Sequence, residues 1–340
     1  MESKPCLFDY ATSELSQDAF FAWLLAWADK KYAGPEHDLA LSFLNTVFKK
    51  DIRNLSLPSN VSIQVWRQYY HIDVFCTIND GEYALILEDK VNAQQHDKQL
   101  ERYLENVLGE KKYKNVVGIY CKTGDQSNWA EIEKLGYVVM NRAELMKLFD
   151  SPEGIAACSL NKIIADFACH LRGIENLTNG YKTDSIETWN ENWNAWKGFY
   201  MALQDTLEDG SWDYVPNPSG GFMGFWWHWK EVEGGNVYLQ LEMGKACFKV
   251  EVYEGADAQS LKSDWNERFL KACKEISGIP INVVRPPVLR VGTWMTVATL
   301  DADYRVVDSN GKLDFSATVA KLRGMERVLD YAVNEVSPVK

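Results

Sequence analysis

HIDVFCTINDGEYALILEDKVNAQQHDKQLERY, residues 71–103, predicts a β-hairpin followed by a helix. The Asp80-Gly81 pair is a strong signal for a two-residue turn, and the segments on either side are rich in β-branched and aromatic residues. If these two residues form the loop, Asn79 pairs with Glu82, and counting along the antiparallel ladder places Asp73 opposite Glu88. A register shift of one residue would turn these side chains to the other face of the sheet.

The predicted register brings charged groups together at one end of the hairpin. Directly opposed side chains lie roughly 4.5–5.5 Å apart on one face, so the carboxylates of Asp73 and Glu88 would be neighbours. Lys90 falls on the same face, whereas the side chain of Asp89 points to the other. Two like charges in this position destabilise a sheet unless a cation lies between them. The pattern therefore predicts a divalent-metal site.

The predicted ligands suit Mg²⁺ or Mn²⁺, because hard cations prefer oxygen ligands and keep several waters. Asp73 and Glu88 would supply carboxylates, and Asp89 could add its backbone carbonyl. The ammonium of Lys90 could orient a water, help to deprotonate it, and offset negative charge on a phosphoryl group. An exposed ion pair between Glu88 and Lys90 is the alternative. The apolar run YALIL directly before Glu88 favours a functional site.

Asp73 followed by Glu88-Asp89-Lys90 resembles the core motif of the PD-(D/E)xK nuclease superfamily, also called the restriction-endonuclease-like fold. Ile72 stands where the nominal motif has a proline, which is not a metal ligand. The order of predicted elements, namely helix, strand, hairpin, helix and strand, is similar as well. The resemblance covers about the first half of the chain and implies metal-dependent hydrolysis of phosphodiesters.

Two further features of the superfamily have counterparts in this sequence. Gln99 and Tyr103 match the QxxxY motif of the RecB-like branch, and their spacing of four places them on one helix face. The resemblance implies that both lie at the substrate backbone or at the edge of the site. It also implies a further metal-binding glutamate on the first helix, for which Glu14 is the candidate. An equal alternative is that Glu14 is an acid at the helix N-terminus that complements the helix dipole.

The pattern of the whole chain predicts two domains. The first, residues 1–175, is an α/β unit with a mixed central sheet flanked by helices. The second, residues 186–340, is an α+β domain that would recognise a substrate, a protein partner or a second copy of the chain. The polar, turn-rich segment 173–185 marks the expected boundary. The predicted elements are helices near 17–32, 36–49, 93–108, 128–135, 143–149, 155–172, 186–207, 257–276 and 316–334, and strands near 61–68, 71–79, 82–90, 116–121, 137–140, 221–230, 236–243, 246–253, 281–284 and 292–300.

Composition narrows the functional class. The net charge of −12 argues against a generally basic surface that grips nucleic acid by phosphate neutralisation alone, so a polyanion would be held locally. No apolar run of about 18 residues and no signal-peptide layout is present, which predicts no membrane insertion and a cytoplasmic location. Seven scattered cysteines without paired spacing indicate reduced thiols.

These observations predict a Mg²⁺-dependent nuclease that acts on DNA. The first alternative is a catalytically silent nucleic-acid-binding or scaffold protein with a nuclease-like fold, in which loss of at least one of Asp73, Glu88 and Lys90 would be expected. The second is a carbohydrate- or protein-binding module that uses an exposed surface of tryptophans in the second domain. Packing is the prediction for the tryptophans, which include Trp189, Trp193, Trp196, Trp226, Trp227 and Trp229.

Overall fold

The chain folds into two units, Met1–Glu175 and Asn176–Lys340. The computed structural model describes residues 5–93, 98–218, 220–288 and 290–335. After a short 3-10 helix, Leu7–Asp9, the elements of the first unit are α1 (Glu14–Ala26), α2 (Pro35–Lys50), β1 (Ile63–Tyr69), β2 (Ile72–Ile78), β3 (Tyr83–Lys90), α3 (Gln99–Gly109), β4 (Asn115–Lys122), α4 (Ala130–Lys134), β5 (Tyr137–Asn141), α5 (Arg142–Phe149), α6 (Pro152–Leu160) and α7 (Lys162–Thr178, which crosses into the second unit).

The first unit is built on a five-stranded mixed sheet in the order β1-β2-β3-β4-β5. The first three strands are antiparallel, and β3, β4 and β5 are parallel. Helices α1, α2, α5, α6 and α7 contribute to the core on one face, and α3 and α4 contribute to the core on the other. The structure therefore confirms the predicted α/β fold class with a mixed sheet flanked by helices.

Strand β3 lies at the centre of this sheet, and every one of its residues is buried. Its run YALIL packs on both faces, as expected for a strand between two helical layers. The burial continues through Glu88, Asp89 and Lys90 at the carboxyl end of the strand. Three consecutive charged residues are thus inside the protein, where charge is costly without partners.

The second unit contains a six-stranded antiparallel sheet with helices. No helix in the described parts of the chain combines the length and apolar character that crossing a bilayer requires. All seven cysteines are free. The elements are α8 (Gly180–Thr183), α9 (Ile186–Trp189), α10 (Trp193–Gln204), β6 (Ser211–Val215), β7 (Phe222–Val232), β8 (Gly235–Glu242), β9 (Lys245–Val252), α11 (Ala258–Glu275), β10 (Val283–Val284), β11 (Trp294–Leu300) and α12 (Phe315–Asn334). The strand order in the sheet is β10-β11-β9-β8-β7-β6.

Two predicted helices are each divided by an asparagine. The predicted helix 155–172 is two helices, α6 and α7, because the Asn161 side chain accepts the backbone N–H of Ile163 at 3.0 Å. The predicted helix 186–207 is likewise α9 and α10, where Asn192 accepts the N–H groups of Asn194 and Ala195. An asparagine in this role starts a new helix by satisfying free backbone donors.

Other sequence predictions differ in extent. The segment 173–185 is largely helical, since α7 continues to Thr178 and α8 follows, and the two units divide within it. Strand β6 was not predicted. The predicted start of the helix at 93–108 falls partly on residues 94–97, outside the described residues; α3 begins at Gln99.

We predict that Gly118→Ala destabilises the first unit. A Cβ at Gly118 in β4 would lie 2.7 Å from the ring of Tyr137, which is buried and whose hydroxyl donates to the Leu100 carbonyl at 3.0 Å. Displacement of this ring should lower the free energy of unfolding by about 1–3 kcal/mol in urea titrations. Gly173→Ala in α7 is the control, because a Cβ there meets no atom within 4 Å and should stabilise the helix by about 0.5–1 kcal/mol. Equal changes in the free energy of unfolding for the two substitutions would contradict the prediction.

Candidate active site

The hairpin of β2 and β3 has the predicted register. The N–H of Glu82 donates to the Asn79 carbonyl at 3.2 Å, and Asp80 and Gly81 have φ angles of +54° and +93°. These left-handed angles are those of the tight turn that suits a two-residue hairpin loop. The ladder runs from Ile78 paired with Tyr83 to Val74 paired with Leu87.

The next pair in this register is Asp73 and Glu88, as the sequence predicts. A hydrogen bond of 3.0 Å from the Asp89 N–H to Asp73 Oδ2 fixes the aspartate beside the end of β3. Because antiparallel neighbours share a face, the carboxylates of Asp73 and Glu88 lie on the side of the sheet covered by α3.

Lys90 is held among oxygen atoms at the end of β3. Its ammonium donates to Glu88 Oε1 and to the Asp89 carbonyl oxygen at 3.1 Å, and it lies 4.0 Å from Glu14 Oε2. Glu14 itself accepts the backbone N–H of Val91 through Oε1 at 3.1 Å. The first residue of α1 therefore reaches the same strand end, although its side chain is more exposed than those of Glu88 and Lys90.

Gln99 and Tyr103 on α3 form a hydrogen-bond chain that ends on Glu88. The amide of Gln99 donates to Glu88 Oε1 and to the Tyr103 hydroxyl, each at 2.8 Å. The Tyr103 hydroxyl donates in turn to the His71 carbonyl at 2.6 Å. The structure thus brings both predicted residues to the site, where Gln99 contacts the carboxylate of Glu88 and Tyr103 contacts Gln99.

Three residues that the sequence analysis did not select lie next to this group. Asp18 follows Glu14 by one helical turn, and both of its carboxylate oxygens are buried without a hydrogen-bond partner. Arg67 of β1 lies 3.8 Å from Asp18. Lys122 is the register partner of Lys90 on β4, is fully buried, and donates to the Ala93 carbonyl at 2.5 Å.

Sequence signals for two of these residues exist. Asp18 is an acidic residue four positions from Glu14 within the otherwise apolar face of α1, so the two are stacked on the helix. Lys122 ends the apolar run VVGIYC just as Lys90 ends its own strand. Neighbouring parallel strands have their carboxyl ends at the same edge of the sheet. A charged residue at the carboxyl end of each strand therefore indicates a shared site.

Burial strongly perturbs the acids of the site. Burial, reinforced by the negative charge of Asp73, raises the pKa of Glu88 to about 8 despite the opposing effect of Lys90. Burial and the charge of Asp73 likewise raise the pKa of Asp18 to about 7. The pKa of Asp89, whose side-chain oxygens have no hydrogen-bond partner, is raised well above its ordinary value by burial and by Asp18. The protein alone therefore stabilises these carboxylates poorly.

The donor set fits a hard divalent cation. Glu88 Oε2 is buried and lacks a hydrogen-bond partner, so one carboxylate oxygen is left for a ligand. Asp73 and the Asp89 carbonyl would supply further oxygen atoms, and Mg²⁺ usually takes only one or two carboxylates with waters and substrate oxygens. In the residues that the structure describes, no group of three or more His, Cys, Asp or Glu side chains is arranged to hold a metal. The fit therefore rests on this acidic pair and the backbone carbonyl.

Comparison with known proteins supports the resemblance to the PD-(D/E)xK nuclease superfamily. A family model described as the PD-(D/E)XK nuclease superfamily matches residues 7–165, a range that contains all the residues proposed for the site. The match confirms the resemblance found in the sequence, whereas membership of the RecB-like branch and the QxxxY motif stay predictions. Searches of curated proteins and of solved structures found no match.

We predict that Glu88→Gln flattens the pH dependence of stability in metal-free protein. Because the folded pKa of Glu88 is about 8, above its ordinary value of 4.5, the folded protein binds this proton more tightly than the unfolded protein and loses stability as pH rises through this interval. Unfolding in urea with a chelator should show that the wild type loses about 1–3 kcal/mol more than Glu88→Gln between pH 5 and 9. Glu105→Gln, at an exposed position of α3, should follow the wild type. Parallel curves for the wild type and Glu88→Gln would contradict the prediction.

Proposed function

We propose that the first unit of this chain, a member of the PD-(D/E)XK nuclease superfamily over residues 7–165, is a metal-dependent nuclease that hydrolyses phosphodiester bonds in DNA. The observation that supports the proposal best is the joint position of Asp73, Glu88 and Lys90 at the end of β3. A silent relative would be expected to have lost at least one of these groups, and all three are present.

The proposed metal ligands are Asp73, Glu88 and the Asp89 carbonyl, with Glu14 at the edge of the site. A divalent ion bound there, Mg²⁺ or Mn²⁺, would supply Lewis-acid polarisation of the phosphoryl group. Glu14 contacts the Val91 N–H and lies near Lys90, so it also fixes the end of β3 against α1.

Lys90 is the residue proposed to orient the attacking water and to offset negative charge on the phosphoryl group. Its ammonium is desolvated beside Glu88, and Glu88 raises its pKa against the lowering effect of burial, so the side chain stays protonated. A fixed positive charge at this point can orient a water and offset negative charge that develops on phosphoryl oxygens. Gln99 and Tyr103 would act as positioning residues, because their hydrogen bonds restrain the carboxylate of Glu88.

A polyanion could approach the site along α3. Lys98 and Arg102, one helical turn apart, are exposed on either side of Gln99. By contrast, the ammonium of Lys112 is bonded to Glu110 at 2.7 Å. Local cations of this kind can contact phosphates although the whole chain carries a net negative charge.

We expect Mg²⁺- or Mn²⁺-dependent cleavage that Glu88→Ala and Lys90→Ala reduce by about 100-fold or more, as removal of one preorganised charge typically does. Labelled duplex DNA, single-stranded DNA and RNA would be incubated with each protein and resolved on gels. Glu105→Ala and Lys114→Ala remove the same charges at exposed positions and should retain full activity. The absence of cleavage of every nucleic acid by the wild type would favour a silent nucleic-acid-binding or scaffold protein.

We expect Tyr103→Phe and Arg102→Ala to change different kinetic constants. Loss of the Tyr103 hydroxyl frees Gln99 and relaxes Glu88, so kcat should fall by about 10–100-fold, the usual cost of losing a group that orients a metal ligand. Arg102 is exposed, and its removal should mainly raise KM and weaken the salt dependence of cleavage. Steady-state kinetics at two salt concentrations would separate the effects. A higher KM with unchanged kcat in Tyr103→Phe would argue for direct substrate contact instead.

A further inference from the structure

Helices α10, α11 and α12 pack against one face of the sheet of the second unit. Side chains that alternate along its strands, including Phe225, Val237 and Phe248, form a core with α10, α11 and α12. Tyr238 and Cys247 point the other way and belong to none of the hydrophobic clusters. We call this second side the open face.

A β-bulge turns Trp229 onto the open face. In a regular strand Trp227 and Trp229 would share a face, and Trp227 is fully buried in the core. The register shifts between Trp227 and Lys230, and His228 there has a φ of +59°, an unfavourable conformation for a residue other than glycine. Trp229 instead stacks on Tyr238, with ring centroids 3.8 Å apart and planes within 9°. Of the two packing roles predicted for this tryptophan, a core or a domain interface, the structure excludes the core of the second unit.

The open face presents several aromatic rings. Trp229 is 39% exposed and covers Tyr238, which is 3% exposed, so the outer side of the indole faces solvent. Trp226 is opposite Gln240 on the same side of the sheet. Trp294 at the start of β11 is 64% exposed, and its indole N–H donates to Glu251 Oε1 at 3.2 Å.

The same face carries unneutralised acids beside these rings. Glu231, Asn236, Glu251 and Trp294 are register partners across four strands and so form one row. Both carboxylate oxygens of Glu251 accept from neutral groups, the amide of Asn236 at 2.7 Å and the indole of Trp294. Within the described residues, neither Glu231 nor Glu251 has an ion-pair partner. The negative charge of the row is thus available to a ligand.

The next row does not change this balance. Lys249 is buried, donates to the Thr296 hydroxyl at 3.1 Å and lies 3.5 Å from Glu242. Glu242 also lies 3.3 Å from Lys245, so this one carboxylate is shared by two lysines. At the same end of the sheet as the Glu231 row, Glu233 and Glu254 are exposed. On this face and at this end of the sheet, the acidic groups Glu231, Glu233, Glu242, Glu251 and Glu254 therefore outnumber Lys245 and Lys249.

We propose that the open face binds an arginine- or lysine-rich segment of a partner protein. Cations are attracted to the faces of tryptophan and tyrosine rings, and adjacent carboxylates add charge attraction. Single-stranded nucleic acid also stacks on aromatic rings, but it needs a positively charged surface, which this face does not offer. A neutral sugar needs free amide or hydroxyl groups, and the Asn236 amide is already bonded to Glu251 and to the Tyr253 hydroxyl.

The test is binding of a fluorescently labelled peptide of twelve residues with arginines spaced by glycine and serine. Fluorescence anisotropy would be measured with the full chain in a chelator, so that metal-dependent cleavage has no part in the result. We expect saturable binding that weakens at high salt, and at least a 5-fold weaker Kd in Trp229→Ala, Trp294→Ala and Glu251→Gln. Glu88→Gln should bind like the wild type, which separates this proposal from the nuclease activity.

Two control variants test whether the attraction is specific. Trp193→Ala removes a partly exposed tryptophan on α10, and Glu187→Gln removes an exposed charge on α9. Each should change Kd by less than 2-fold. The proposal is overturned if the wild type does not bind the peptide or if all variants bind it equally. It is also overturned if a single-stranded oligonucleotide or a neutral oligosaccharide binds instead and loses affinity in Trp294→Ala. Thermal unfolding of the Trp294→Ala protein should match the wild type, because the side chain is largely exposed.

Discussion

The register of the β2–β3 hairpin is the constraint on which the site depends. The turn at Asp80-Gly81 sets the pairing, and the pairing sets which carboxylates meet at the other end. The strand end is then fixed from its parallel neighbour, since the N–H groups of Thr123 and Gly124 donate to the carbonyls of Lys90 and Val91. A Cβ at Gly124 would lie 2.1 Å from the Val91 carbonyl oxygen, so this close pairing requires glycine. The Asp80-Gly81 turn thus determines which side chains meet at the opposite end of the hairpin.

The site opposes the stability of the fold that contains it. Apolar strands favour burial of β3, yet its last three residues are charged and buried as well. Lys90 compensates only part of this negative charge. The pKa of Glu88 therefore stays raised despite the nearby ammonium. On the other face, burial raises the pKa values of Asp18 and Asp89, which favours their protonated forms. Conflict between local charge and burial is typical of functional sites, where an external ligand supplies the missing compensation.

The parts of the fold and site that could be predicted from the sequence are those set by local signals. The hairpin, its register and the grouping of Asp73, Glu88 and Lys90 follow from period-two alternation and one turn, which act over a few residues. Asp18 and Lys122 join the group through α1 and β4, and their approach is set by tertiary packing rather than by local spacing. The helix breaks at Asn161 and Asn192 were missed because apolar periodicity continues across them, whereas a single side-chain cap decides the boundary.

The two sheets show when alternation fails as a guide. In the first, the left-handed residues Asp80 and Gly81 close the hairpin turn and keep its register, and Gln68 is left-handed within β1. In the second, His228 is left-handed within a strand, at a cost of about 1–3 kcal/mol that its hydrogen bond to Asp330 offsets in part. The bulge moves the large apolar Trp229 out of the core and onto Tyr238, so that one side of the indole is packed and the other side is exposed. A strained backbone that exposes an aromatic ring beside unneutralised carboxylates is better explained by a bound cation than by the stability of the unit.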